Sequence, residues 1–149
     1  KLPNEQIFND VDYREVRDEL NYLKEMVSQN KNYRTLFVFD DVMSSITQDI
    51  PEFLRMLGNR RHHGLTVMII TQVYNKIPMQ LRKMISHFIF FKQPKQEQES
   101  IYRDLINLKR EQYYDLLKYV YDKQYQFLYF DKDKGKYYKN FNELKFKSL

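Results

Sequence analysis

Thr35-Leu36-Phe37-Val38-Phe39 runs without a polar break other than its opening threonine and stops on Asp40-Asp41. A strand with one wet face alternates apolar and polar residues. So uniform a run predicts a strand over 35–41 covered on both faces, as in a parallel sheet. A second apolar run, Leu65 to Ile70, ends in Thr71-Gln72 and predicts a strand over 65–72; a third predicts one over 87–91. The intervening segments carry a helical period. Val16, Leu20, Leu23 and Val27 recur at spacings of four, three and four, and Asp12 with Glu15 makes a capping box, so 12–29 is a helix. Pro51 suits the first turn of a short helix over 50–59. Ile101, Leu105, Leu108, Leu116 and Val120 mark the buried stripe of a helix over 96–121. Two aromatic-rich segments around Asp131-Lys132-Asp133-Lys134-Gly135 read as a hairpin over 125–141. The fold class is therefore α/β: a mainly parallel sheet flanked by helices, with a C-terminal β-hairpin, in a single domain over 1–149.

Composition narrows the function. With 149 residues, 42% hydrophobic and 30% charged, the chain is globular and not disordered. No apolar run approaches the ~20 residues that span a bilayer, and no basic-then-apolar leader opens the sequence. Without cysteine, disulfide scaffolds and thiolate metal sites are excluded, and a reducing compartment is permitted. His62 and His63 are adjacent, His87 is distant, and no carboxylate stands at a ligand spacing, so no metal site made by protein alone is expected. Ser44-Ser45 lack the glycines of a nucleophile elbow. Charge is uneven: net −4 over 1–59 and +9 over 60–149. A basic half suits a phosphate-backbone partner, although a lysine-rich solvated surface gives the same balance. Tyrosines interleaved with lysines from Tyr113 to Tyr138 would either stack on bases or pair across the hairpin.

Chemistry gathers where the strands end, because open α/β sheets bind ligands beyond the C-terminal ends of their strands. An apolar strand closing on two acids is the Walker B pattern of P-loop NTPases. One carboxylate there holds Mg²⁺ through its water shell, and a second polarises the attacking water. Asp40 is the candidate magnesium ligand and Asp41 the candidate base, where glutamate is commoner; an acidic turn is also an ordinary exit from a strand. Gln72 offers an amide to the attacking water or the γ-phosphate, or is a plain strand terminus. In Arg60-Arg61-His62-His63-Gly64, a guanidinium supplies the forked donors that stabilise charge on a transferring phosphoryl group, unless the loop is merely solvated.

From Leu36 to about Phe141 the chain resembles the poxvirus-type genome-packaging ATPases of large DNA viruses, within the FtsK/HerA superfamily. Carrying the likeness are Leu36-Phe37-Val38-Phe39-Asp40-Asp41-Val42, Asn59-Arg60-Arg61-His62-His63-Gly64-Leu65 and Val67-Met68-Ile69-Ile70-Thr71-Gln72. It continues through Tyr74-Asn75-Lys76-Ile77-Pro78, Leu81-Arg82 and His87-Phe88-Ile89-Phe90-Phe91 to the closing hairpin. The resemblance implies a P-loop (ASCE-type) fold in a homo-oligomeric ring that couples ATP hydrolysis to moving double-stranded DNA into a preformed capsid. It implies ATP and Mg²⁺ as ligands, capsid or portal-vertex proteins as partners, and the host cytoplasm (the viral factory) or the virion as location. Carried over by position, Asp40 and Asp41 match the Walker B acids and Gln72 the polar sensor. Arg61, with Arg60 beside it, matches the arginine finger reaching a neighbouring subunit's nucleotide. Arg82 would serve DNA contact or subunit packing. A motor indifferent to sequence grips the DNA backbone without base readout.

One motif is missing. No Gly-x-x-x-x-Gly-Lys-[Ser/Thr] occurs, and Gly58, Gly64 and Gly135 cannot make one. The family places it before the helix that precedes Walker B, which here means before Lys1. The expectation is the C-terminal part of a longer ATPase without its P-loop strand, inactive in isolation, with a bare sheet edge and part of a face open to association. Its rivals are a degenerate, non-hydrolysing relative, another FtsK/HerA-type DNA translocase, and a non-catalytic basic module binding nucleic acid through its aromatic C-terminal half. The motor reading requires the tails of the first two strands to lie side by side and parallel, their polar caps facing one crevice.

Overall fold

Asp12 caps the first helix by accepting a hydrogen bond from the Arg14 backbone N–H at 2.7 Å, and α1 runs over Tyr13–Gln29. The expected stripe faces inward, with Leu23 fully buried at its centre. A computed structural model describes residues 6–146 of the chain. By its internal contacts the expected domain over 1–149 divides into two compact units, one ending at Met84 and the other beginning at Ile85.

In the first unit β1 (Thr35–Asp40) pairs in parallel with β2 (Leu65–Ile70), in register from Thr35 opposite Leu65 to Asp40 opposite Ile70. Between them come α2 (Met43–Ile46), a short 3₁₀ turn, and α3 (Ile50–Asn59); the Asp49 carboxylate accepts from the Glu52 N–H at 3.1 Å and Pro51 sits in the first turn. The inner face of β1 is closed by α3, where Phe39 meets buried Phe53 edge-on with centroids 5.0 Å apart. The other face is bare. Leu36, Val38, Met68 and Ile70 are 45–52% exposed, so the expected cover on both faces is absent among the described residues. Alternate positions of a parallel pair point to opposite faces, and elements pack here against the Phe37–Phe39 side alone. Among the described residues β1 and β2 are each paired on one edge only. A second 3₁₀ turn (Tyr74–Lys76) and α4 (Met79–Met84) complete the unit.

The second unit is an antiparallel sheet backed by helices. Its strands β3 (His87–Phe91), β4 (Phe127–Asp131), β5 (Lys136–Lys139) and β6 (Asn142–Glu143) lie in chain order, and β4–β5 is the hairpin expected over 125–141. Among the described residues parallel pairing is thus confined to β1–β2, while the third apolar run pairs antiparallel with β4 through Ile89 opposite Tyr129 and Phe91 opposite Phe127. Phe88, Phe90, Leu128, Phe130 and Tyr137 form the buried face; Ile101, Tyr113, Leu116, Leu117 and Val120 supply the helical side of the core. The helix expected over 96–121 is two helices, α5 (Lys95–Leu105) and α6 (Arg110–Val120). Ile106 leaves the helical region, Gln112 accepts from the Lys109 N–H at 3.1 Å to start the new helix, and the Tyr102 hydroxyl donates to the Leu108 carbonyl across the break. No described helix is long and apolar enough to cross a membrane.

Candidate functional site

Strand geometry brings the two polar caps together. Because β1 and β2 are parallel and in register, both chains leave the sheet at one rim, and the Asp41 N–H extends the ladder to the Ile70 carbonyl at 3.0 Å. Asp41 turns there with φ +54°, a left-handed conformation that costs about 1–2 kcal/mol for an ordinary L-residue and that aspartate tolerates better than most. The turn aims its carboxylate at the neighbouring loop, where the Gln72 amide donates to Oδ2 at 3.2 Å. Both strands stop short of the ranges expected for them, so that Asp41, Thr71 and Gln72 stand in the loops and not in the ladder.

These residues border a crevice of about 430 Å³. Asp41, Thr71, Gln72 and Lys76 line it from the strand-end loops, and Ser44 and Thr47 from the segment after β1, with Met43 and Val73 as apolar wall. The Thr47 hydroxyl donates to the Ser44 carbonyl at 2.8 Å. One carboxylate, one ammonium, three hydroxyls and an amide make a lining suited to a hydrated cation and an anionic ligand together. Among the described residues no group of three or more histidine or acidic side chains forms a cage.

The other residues read from the sequence are dispersed. Asp40 stands at the same rim but alternates onto the bare face with Leu36 and Val38, exposed and outside the crevice lining. Arg60 and Arg61 precede β2 and so lie at the opposite end of that strand from Gln72, roughly 20 Å away at ~3.3 Å per residue. The Arg60 guanidinium folds back on the last turn of α3, donating to the Leu57 carbonyl at 2.7 Å. Arg61 is exposed and makes no such bond to a described residue. Arg82 donates through Nε to the Ile77 carbonyl at 2.7 Å and stacks on the buried Tyr74 ring, 4.7 Å from its centroid, so its guanidinium is held within its own unit. Of the interleaved tyrosines, Tyr113 and Tyr137 are core, whereas Tyr119 and Tyr125 are exposed.

Sequence reading gave no role to Lys76, Ser44 or Thr47. For Lys76 a signal existed: it follows Gln72 by four residues in the same strand-end loop. The serine and threonine enter the crevice only because α2 begins directly beyond the Asp41 turn.

The fold that carries this crevice has relatives among known proteins. Two solved structures of the genome packaging NTPase B204 from Sulfolobus turreted icosahedral virus 2, with AMPPCP and with ATPγS, share the fold, each with a TM-score of 0.62. They are 19% and 20% identical over 87% of this chain. The chain spans 64% of their length, less than two thirds. No curated protein sequence matches it. The model of the family described as Poxvirus A32 protein matches residues 6–129, from before α1 through most of β4 and including the whole crevice, and the chain belongs to that family.

Proposed function

We propose that these residues are part of an ATP-hydrolysing motor that drives double-stranded DNA into a preformed viral capsid, in the host cytoplasm or the virion. The observation that carries the proposal is the Gln72–Asp41 pair at the common rim of two parallel strands, on a crevice with mixed charge. Nucleotide analogues in the solved packaging NTPases of the same fold support a nucleotide as the ligand.

The residues present fit Mg²⁺, which binds through one or two carboxylates and completes its octahedron with water and phosphate oxygens instead of a protein cage. Asp40, at the shared rim but outside the crevice lining, would hold it, and Asp41, within the lining, stands next to it in the chain. When bound, the ion neutralises charge on the phosphates. Asp41 accepts a hydrogen bond from the attacking water and orients it. Gln72 now occupies that carboxylate, so its amide exchanges Asp41 for the water or γ-phosphate and reports the state of the nucleotide. Arg61, remote from the crevice of its own chain, fits a site completed by a neighbouring subunit in a homo-oligomeric ring. Arg60, tied to α3, would set the approach of that loop. DNA is gripped through its backbone, and capsid or portal-vertex proteins receive the motor. Lacking the P-loop motif, residues 1–149 act within a longer ATPase and turn over no ATP alone.

Subunit mixing in that ATPase tests the proposal. Asp41→Asn and Arg61→Ala each abolish hydrolysis. In an equimolar random mixture, about a quarter of interfaces join an intact Asp41 to an intact Arg61 from the next subunit, so roughly a quarter of wild-type turnover returns if the arginine acts in trans. Full activity of Asp41→Asn removes the crevice from the mechanism, and a mixture that stays silent removes Arg61.

A non-catalytic nucleic-acid module finds one observation in its favour, the exposed Ile89, Phe91 and Phe141. That reading leaves the Asp41–Gln72 pair without a task.

A further inference from the structure

Lys76 is the one cation lining the Asp41–Gln72 crevice among the described residues, and it is unspent. Its side chain is exposed and makes no hydrogen bond or ion pair with any described residue. Its backbone, by contrast, is fixed. The 3₁₀ turn that carries it is pinned by buried Tyr74 before it and buried Ile77 after it, and Arg82 clamps both, stacking on the Tyr74 ring and donating to the Ile77 carbonyl. The Ile77 N–H closes the turn on the Tyr74 carbonyl at 3.0 Å. A long cationic side chain on a rigid base, with its ammonium unpaired beside a carboxylate crevice, is the arrangement of a residue kept for an anionic ligand.

We propose that Lys76 binds the terminal phosphate of the nucleoside triphosphate, which rests on reading the crevice as a nucleotide site. The assignment to that end of the ligand follows from position. Asp41 shares the crevice with Lys76, and Asp41 belongs where the water attacks the last phosphorus. A triphosphate with one divalent cation keeps a net negative charge, and Asp40 and Asp41 add to it at the same rim. Lys76 offsets that charge as a point cation with three donors. A diphosphate has no group at this position, so Lys76 distinguishes nucleotide before hydrolysis from nucleotide after it. Arg82 is then a positioning residue for the turn.

Calorimetric titration of the full-length ATPase with the non-hydrolysable β,γ-methylene analogue of ATP and with ADP tests this. Lys76→Gln weakens the triphosphate analogue about tenfold and ADP less than twofold, and Lys76→Arg, which keeps the charge, stays within about threefold of wild type for both. Because Lys76 is exposed, the thermal transition of the variants matches wild type. Unchanged affinity for the analogue in Lys76→Gln, or equal weakening of analogue and ADP, overturns the assignment while leaving the crevice a nucleotide site. Failure of the wild type to bind either nucleotide refutes the crevice reading itself.

Discussion

Gly64→Ala acts on the turn that sets the β1–β2 register, and its cost can be worked from geometry. Gly64 sits at φ +58° just before β2, and a Cβ there would overlap the Tyr33 carbonyl oxygen and lie 3.1 Å from Val27 Cγ2. Placing alanine in the left-handed region costs about 1–2 kcal/mol. The clash is with backbone, which cannot swing away, and the same turn holds the Thr35 N–H on the Gly64 carbonyl at 3.0 Å and the Leu65 N–H on the Arg60 carbonyl at 2.8 Å. Straining these adds about 1–2 kcal/mol. The sum, roughly 2–4 kcal/mol, lowers the melting temperature by about 10–25 °C for a unit of this size. Gly58→Ala is the internal control. It lies in α3 with nothing within 4 Å of the added Cβ, and it stabilises by about 0.5 kcal/mol through helix propensity. Thermal and urea unfolding followed by circular dichroism measure both. A Gly64→Ala loss below about 1 kcal/mol, or the same loss in both variants, would refute the strained-turn account.

Phe53→Ala removes the ring that closes the inner face of β1 and destabilises by about 3–5 kcal/mol in urea unfolding, whereas Leu36→Ala on the bare face costs under about 1 kcal/mol. Burial would raise the Asp131 carboxyl, but the Lys134 backbone N–H at 3.1 Å, its ammonium at 3.2 Å and the nearby His87 outweigh this and hold it below the usual carboxylate range. Its contribution to stability is therefore complete above the unfolded carboxylate pKa near ~4 and is lost as pH falls through the lower folded value; Asp131→Asn flattens acid unfolding there, and a variant as acid-sensitive as wild type refutes the linkage. In the full-length protein, if it is the ATPase proposed above, Gln72→Ala cuts turnover by about 10²-fold with analogue affinity within threefold, read from steady-state kinetics and titration; a pure rise in KM would make Gln72 a binding group instead.

Uniform apolar runs made β1, β2 and β3 legible as strands, but not their direction, since β3 pairs antiparallel. They could not reveal which face the described residues leave open: Leu36 and Phe37 look alike in a sequence, and only the placement of α3 separates them. The break between α5 and α6 was hidden for a related reason. Ile101, Leu105, Leu108, Leu116 and Val120 keep a continuous stripe through it, and what ends α5 is a change of backbone region at Ile106 followed by a side chain, Gln112, capping from within the next helix. Residue type alone did not separate Arg60 from Arg61; only the resemblance put Arg61 first. Capture of the Leu57 carbonyl by one of them is a matter of where α3 stops, and it leaves Arg61 as the residue able to reach outward.

At the site itself, backbone conformation explains a side-chain choice that pattern alone leaves odd. Glutamate is the commoner second acid after such a strand, yet Asp41 occupies the position. The chain must reverse at once from the end of β1 into α2, and it does so through a left-handed residue. Aspartate, whose short carboxylate can bond locally, is several-fold enriched in that region, while longer side chains gain nothing to offset the strain. The short side chain in turn fixes how near the partner must come. Gln72 supplies the extra methylene that Asp41 lacks, and the two meet at 3.2 Å across the strand pair. Asp and Gln at neighbouring strand ends are thus matched in length across one tight turn, and lengthening either alone would break the fit that brings them together at 3.2 Å.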